Sequence, residues 1–444
     1  FFFVLLQGTT MAQEQTAINI KAEEKAPLVT PAPAPKAKRP HIPALDTVRF
    51  FLISYIVVGH FIQVATKNEL LLRLCQQINV VVGAFFVISG YVAAYTATEV
   101  GKLEPSPRLA PASTYIITKI LGYYHLHFLV TVLFLPMFAW ADWYYNGVTA
   151  TAINGVMSFT LTQAWFPMHA EVWNAPMWFL SAMTFAYIPM PAAITAIAKL
   201  NKKGLTLCMA ALTGSLLLAR LAYTYDLDCW SIMEGRLNAR THPNISFWNT
   251  IRFNPAYALI EMLMGAVAVR FVMLDGIDGE EKPSAAGVAS SPVLPLLAML
   301  AVLVARAYDV LPLNDALTRS VLFIPLFIMF LLALHRQTVY GSGAYRLNEL
   351  MAASWLTYLG GISFPIFVIH GPLGQLFYKK VVAQKVFSAL WQEFGWTGWP
   401  AWFFFVYLAS VVLGAMLLQH GFLNQKAVKD FMASLGKYLS ALFK

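Results

Sequence analysis

The sequence predicts an all-α fold, a polytopic membrane helix bundle of about ten transmembrane helices. Composition is the first reason. Of 444 residues, 58% are hydrophobic and only 12% are charged, about half the charged share usual in soluble domains. A chain of this size cannot cover a water-facing surface with so little charge. The second reason is a succession of apolar runs, each near the ~20 residues a membrane-crossing helix needs. In lipid every backbone polar group must be paired internally, so such runs are helices. Collagen, a disulfide scaffold, a coiled coil and full-length disorder are excluded by the same numbers. The net charge of +9 is read as basic loops facing the cytoplasmic leaflet, so the partner it implies is the lipid bilayer and not nucleic acid.

The N-terminal region, 1–45, reads as a disordered tail. Its first ten residues precede Met11, and the apolar run Phe1 to Leu6 is too short for a span or a leader, so it is set aside. Residues 11–45 are rich in Ala, Pro and Lys, with Pro27, Pro31, Pro33, Pro35, Pro40 and Pro43, and cannot bury a core. They end in Lys36, Lys38 and Arg39. The membrane domain, 46–422, follows. Its ten predicted spans are 49–66, 78–97, 115–140, 176–198, 204–223, 255–273, 291–307, 319–335, 354–376 and 399–419. Residues 423–444 are left as a cytosolic C-terminal tail.

Residues 149–165 are apolar yet carry Thr149, Thr151, Asn154, Thr160, Thr162 and Gln163. The distribution of positive charge decides their status. If this segment does not span, Lys36, Lys38, Arg39, Lys102, Arg108, Lys199, Lys202, Lys203, Arg270, Lys282, Arg336, Arg346, Lys426, Lys429, Lys437 and Lys444 all fall inside. Outside are Lys67, Arg73, Arg236, Arg240, Arg252, Lys379, Lys380 and Lys385. Sixteen against eight obeys the positive-inside rule, and making 149–165 a span spoils it. Both termini are therefore expected in the cytosol, with 141–175 an external loop bearing a re-entrant or interfacial piece. The sequon Asn244-Ile245-Ser246 falls outside, where glycosylation is possible chemistry. Three cysteines form no framework; Cys75 and Cys229 share a predicted side, which leaves one pairing open.

Ionisable groups inside spans are costly, by roughly 2.5–3.5 kcal/mol on insertion scales, and usually face a cavity. His60, Lys119, His125, His127, Glu261 and His370 are such groups. Asp46 and Arg49 stand at the inner mouth of the first helix, where a simple pairing and a role in the site are equally open readings. His60 follows Arg49 by eleven residues, about 16 Å along a helix. That places it in the outer half, where Glu261 and His370 also fall. A polar cavity shared by the three is expected, weighed against the plainer reading of a packed, hydrogen-bonded histidine. A neutral imidazole there can take a proton from a hydroxyl and return it, with a carboxylate such as Glu261 to orient it. His125 and His127 are two apart and point to different sides of their helix, so they make a poor metal pair, and no metal-ligand spacing occurs elsewhere. No nucleophile elbow, P-loop or dinucleotide fingerprint is present. Gly83, Gly90 and Gly265 equally suit close helix packing.

At these residues the sequence resembles the acyltransferase-3 family of integral-membrane acyltransferases. Leu45-Asp46-Thr47-Val48-Arg49-Phe50 with Val57-Val58-Gly59-His60-Phe61 is similar to the family's first-helix motif. Phe85-Phe86-Val87-Ile88-Ser89-Gly90-Tyr91 resembles the second-helix motif. Asn174, Pro176, Trp178, Leu180 and Ser181 resemble a Trp-x-Leu-Ser segment, and Tyr358-Leu359-Gly360, Ser363, Phe367 and His370-Gly371-Pro372 a late-helix motif. The resemblance implies O-acylation, often O-acetylation. A cytosolic thioester such as acyl-CoA (acetyl-CoA) is the donor, and a hydroxyl of a glycan, lipid or small molecule is the acceptor. His60 is then the catalytic base, and no cofactor is bound permanently. The family's Arg-x-x-Arg pair on the third helix corresponds to Lys119 and Gly122 here, and a position that is Glu in many members is Met183. Lys119, Tyr123, Tyr124, His125 and His127 are the alternative donor-binding set. Loops 224–254 and 377–398, with Trp230, Arg236, Arg240, His242, Trp248 and Arg252, are expected to shape acceptor choice. Two other readings stand beside this one. One is a non-catalytic subunit of a membrane complex on the same fold, motivated by Lys119 and Gly122. The other is a proton-coupled transporter.

Overall fold

Residues 39–236, 244–275, 291–341, 346–390 and 401–443 are described by a computed structural model. The predicted tail up to residue 38, Arg240, His242, Lys282, Lys444 and the end of the 377–398 loop lie outside them. Helix α1, Pro43–Phe61, begins on a proline, whose missing N–H costs nothing in a first turn. Two short helices, Glu69–Cys75 and Ile78–Val81, lead into α2, Gly83–Ala97. Helix α3 is Ala112–Leu133 and α4 is Leu135–Thr160.

The predicted third span, 115–140, therefore stops seven residues early, and Pro136 stands in the first turn of the next helix. Helix α4 is itself broken at Gly147, whose φ of +80° a side chain would strain. Its second half returns along α3. Tyr124 Oη donates to the Phe159 carbonyl at 2.9 Å, and His127 Nε2 donates to the Ser158 carbonyl at 2.9 Å. Residues 148–160 thus dip beside the middle of α3, in the manner of a re-entrant segment.

Helices α5, Trp178–Tyr187, and α6, Met190–Ala198, form one apolar unit bent by 58°, with Pro189 and Pro191 at the break. Then come α7, Lys202–Asp226; α8, Ile245–Phe253; α9, Pro255–Met273; and α10, Val293–Ala307. Helix α11, Ile324–Tyr340, continues a π-helical turn over Thr318–Phe323. Helices α12, Ser354–Gly361, and α13, Ser363–Tyr378, meet at a 53° bend. The last two are α14, Ala401–Leu418, and α15, Lys426–Leu442.

Among the described residues seven helices are long and apolar enough to cross a membrane, or nine if each bent pair is one span. The seventh expected span, 291–307, is a helix of only 15 residues. Hydropathy alone registers neither bends nor helix starts, which is why ten uniform spans were expected. The chain is a polytopic helical membrane protein.

Helix α9 is the central element, buried along most of its length and packed on α2, α5, α7 and α11. Two glycines allow its contact with α2. A Cβ at Gly90 would lie 1.7 Å from the Met262 carbonyl oxygen, and one at Gly265 2.0 Å from that of Val87. Backbone meets backbone there, and any side chain would force the helices apart.

Polar contacts sort into two ends of the bundle. At one, Arg336 and Lys202 meet Asp275 at 3.0 and 3.8 Å, and Arg270 donates to the Lys102 carbonyl at 2.6 Å. At the other, Arg236 pairs with Glu69 at 2.6 Å, and Arg73 pairs with Asp309. Each group joins residues that the charge rule assigned to one side. Cys75, Cys208 and Cys229 are free thiols, so the Cys75–Cys229 pairing left open by the sequence is not made.

Candidate active site

His60 lies in the last turn of α1 and His370 near the middle of α13. The two rings stack at 5.3 Å between centroids, with His370 Nε2 3.3 Å from His60 Nδ1. His370 Nδ1 is 2.7 Å from the Phe367 carbonyl oxygen, so that nitrogen carries the proton and donates it. In a neutral pair His370 Nε2 is then an acceptor, and His60 Nδ1 donates to it. The lone pair of His60 is left on Nε2. His60 lines a cavity of about 90 Å³ together with Asn79, Glu171, Trp178, Phe179, Phe367 and Arg252.

The position of His370 follows from Pro372. Proline has no N–H, so the Val368 carbonyl four residues earlier loses its helical partner. Asn174 Nδ2 replaces it, donating to that oxygen at 2.9 Å. Gly371 lets the Asn174 turn approach, since a Cβ there would lie 2.4 Å from Asn174 Oδ1. Tyr407 Oη donates to the His370 carbonyl at 3.2 Å, pinning the helix from α14.

Motif aromatics floor the site. Phe86 stacks on Phe179 at 4.3 Å, Phe85 meets Phe179 edge-on at 6.1 Å, and Phe179 meets Phe367 at 5.4 Å. Trp178 packs edge-on to Phe253 at 5.0 Å. Ser89 donates to the Phe85 carbonyl at 2.7 Å, and Ser181 Oγ accepts from Ala164 N–H at 3.1 Å, tying down the end of the re-entrant segment. Ser363 opens α13, and Gly90 serves the helix packing described above.

Glu261 takes a different place from the one expected. It is fully buried on α9, paired with Arg319, with Arg220 at 3.9 Å. Its carboxylate is occupied by two guanidiniums and makes no hydrogen bond to His60 or His370. Of the three residues expected around a shared cavity only His60 lines it; His370 is buried behind His60, and Glu261 anchors an ionic layer next to it. Arg220, Arg306 and Arg319 were not singled out in the sequence, although each is an arginine in or beside an apolar run.

That layer reaches the histidine cavity through Asn79 and Arg252. Asn79 Nδ2 donates to Glu234 Oε2 at 2.8 Å. Arg252 lies 3.4 Å from Glu171 and 3.5 Å from Glu234. Burial, reinforced by the like charge of Asp315, raises the Glu234 pKa to about 6, against the pull of Arg252. Asn79 and Glu171 gave no signal in the sequence; Arg252 stood only among the residues of an outer loop.

The five predicted donor residues spread over several sides of α3. Tyr124 and His127 bond the re-entrant segment. His125 lines a groove beside α15, its ring 5.9 Å from that of Phe422 in the turn that precedes α15. Tyr123 Oη is 2.8 Å from Thr184 Oγ1, and its ring stacks on Tyr187 at 6.4 Å. Lys119 lies over the Tyr115 ring at 5.5 Å and within electrostatic range of Arg49. Arg49 holds Asp46 at 2.8 Å, so the pairing left open at the inner mouth is made. Lys119 and Tyr123 thus remain together near Tyr187, while the other three serve other neighbours. No group of three or more His, Cys, Asp or Glu side chains converges among the described residues.

A family model described as an acyltransferase domain matches residues 42–420. The chain belongs to the acyltransferase-3 family. Searches of curated proteins and of solved structures returned no match. The family match runs from just before α1 to just beyond α14 and so contains both histidines, the aromatic floor and the ionic layer. Membership makes the chain a membrane acyltransferase in general terms, and the geometry of the His60 cavity bears on how it works.

Proposed function

We propose that the protein transfers a small acyl group, acetyl in the first instance, from a cytosolic acyl-CoA-type thioester to a hydroxyl of a glycan, lipid or small molecule. The carrying observation is the histidine pair, in which His60 Nδ1 donates to His370 and the lone pair of His60 is left on Nε2, beside a small cavity lined by His60. At ~30 Å³ per water, that cavity has room for about three waters, which suits a short acyl group.

In this reading the acceptor hydroxyl comes from a polar cavity of about 840 Å³ lined by Asp142, Tyr145, Glu171, Gln375, Lys379 and Lys380. Glu171 lines both this cavity and the His60 chamber, and Gln375 follows His370 on the same helix. His60 Nε2 removes the hydroxyl proton as the oxygen attacks the thioester carbon. The resulting imidazolium is stabilised by His370 Nε2 through the hydrogen bond at Nδ1. The negative charge on the former carbonyl oxygen faces the Arg252 guanidinium. Collapse breaks the carbon–sulfur bond, and the departing thiolate takes the proton back from His60. The donor's anionic portion is received at the other end of α1 by Arg49 and Lys119.

The test is acyl transfer from acetyl-CoA by protein reconstituted in liposomes. His60→Ala is expected to abolish transfer while the protein still elutes as a single folded species. Full activity in that variant would overturn the mechanism. A second reading, a non-catalytic subunit, is favoured by Gly122 standing where a second cation would grip a phosphate. It requires that the purified protein bind no acetyl-CoA by calorimetry and retain a partner in mild detergent.

A further inference from the structure

The last element of the chain builds a third cavity, which shares no lining residue with that of His60 and takes in His125 of the predicted donor set. Helix α15 packs against the first half of α3, and between them lies a groove of about 680 Å³. Its walls are mainly apolar: Leu121, Leu423, Val428 and Met432. Lys429 and Lys437 stand along the same groove. No ion pair is formed by either ammonium among the described residues. One cavity thus combines an apolar trough, long enough to follow a helix for several turns, with two unneutralised cations.

The rest of α15 shows what surrounds this groove. Phe431, Tyr438 and Leu442 recur at i, i+7 and i+11 and are exposed on a face away from α3. An amphipathic helix with aromatic and Leu residues on one face and lysines at the polar margin lies in the interfacial plane of a bilayer. Helix α15 follows directly on the membrane-crossing segment Ala401–Leu423, so it is held at that level. The groove lies between this helix and α3, on the side opposite Phe431, Tyr438 and Leu442.

We propose that this groove is a binding site for one anionic phospholipid. An acyl chain lies along Leu121, Val428 and Met432, and the phosphate engages Lys429 and Lys437. Charge complementarity selects an anionic headgroup over a zwitterionic one. The site goes beyond the acyl-transfer reading and does not depend on it, because none of these residues lines the His60 cavity.

The full-length protein is reconstituted in nanodiscs of phosphatidylcholine with phosphatidylglycerol, extracted gently and weighed by native mass spectrometry. One retained phosphatidylglycerol per chain is expected, in preference to phosphatidylcholine. The double variant Lys429→Glu/Lys437→Glu is expected to lower that retention roughly thirtyfold. Ala433→Phe fills the groove without altering charge and is expected to lower it as well. Gel filtration and thermal melting confirm that both variants are folded. No retained lipid in the wild type, or retention unchanged in both variants, overturns the proposal. So does displacement of the lipid by coenzyme A, which would give the groove to the thioester donor instead.

Discussion

At the scale of single residues, buried ionisable groups divide into those held by charge and those held by a relay. Glu261 belongs to the first kind: removing it leaves Arg319 and Arg220 buried without their carboxylate. Glu261→Ala is expected to destabilise the protein by about 3–5 kcal/mol, read as a lowered melting temperature in detergent. His370 belongs to the second. His370→Ala takes away the acceptor for the His60 proton, and is expected to cut kcat by about 10²-fold while moving the melting temperature little. A stable Glu261→Ala protein that has lost transfer would return Glu261 to the proton path. The two histidines and Glu261 were all visible in the sequence as ionisable residues in apolar runs. Their pairing was not, because hydropathy gives depth along a helix but not the face or the neighbour. Arg319, the partner that takes Glu261 out of the cavity, lies 58 residues further on.

At the scale of elements, helix breaks govern the site more than helix lengths do. Pro372 leaves a carbonyl unpaired, Asn174 fills it, and the chain 161–177 is drawn against α13 beside His370. Gly147 turns α4 back along α3, which a simple span count cannot show. Prolines and glycines are legible in any sequence. Whether one ends a helix, bends it or receives a neighbouring loop depends on what packs there. The α2–α9 contact illustrates the point: Gly265→Leu drives a side chain into the Val87 backbone. Loss of monodisperse protein is expected on fluorescence-detected gel filtration, whereas Gly214→Leu, which has open space around it, is expected to be tolerated.

At the scale of the whole molecule, charged residues gather at two ends, and the grouping matches the sides assigned by the positive-inside rule. If both termini are cytosolic, as the charge distribution predicts, a cysteine at Lys102 is expected to react with a membrane-impermeant maleimide only after cells are opened. One at Lys380 is expected to react in intact cells. Cys75, Cys208 and Cys229 are replaced by Ala in both. The reverse pattern would invert the topology and place the polar cavity of Asp142 and Lys379 on the cytosolic side. The ionic layer of Arg220, Glu234, Arg252, Glu261 and Arg319 lies between that cavity end and the central helix α9, where it ties the outer segments to the bundle.

The sequence by itself determined that this chain lives in a bilayer as a helical bundle, the approximate place of its helices, and the family to which it belongs. These follow from composition, from the length of apolar runs and from motifs that occur in order. Only the tertiary structure decided that His60 meets His370 rather than Glu261. It also decided that the predicted donor residues face different neighbours and that the C-terminal segment is a helix enclosing a groove. The physical reason is common to all three. Lipid-facing and protein-facing positions are alike in hydropathy, so a helix in a membrane does not announce its inner face, and the partners of a buried polar group are fixed only when helices pack.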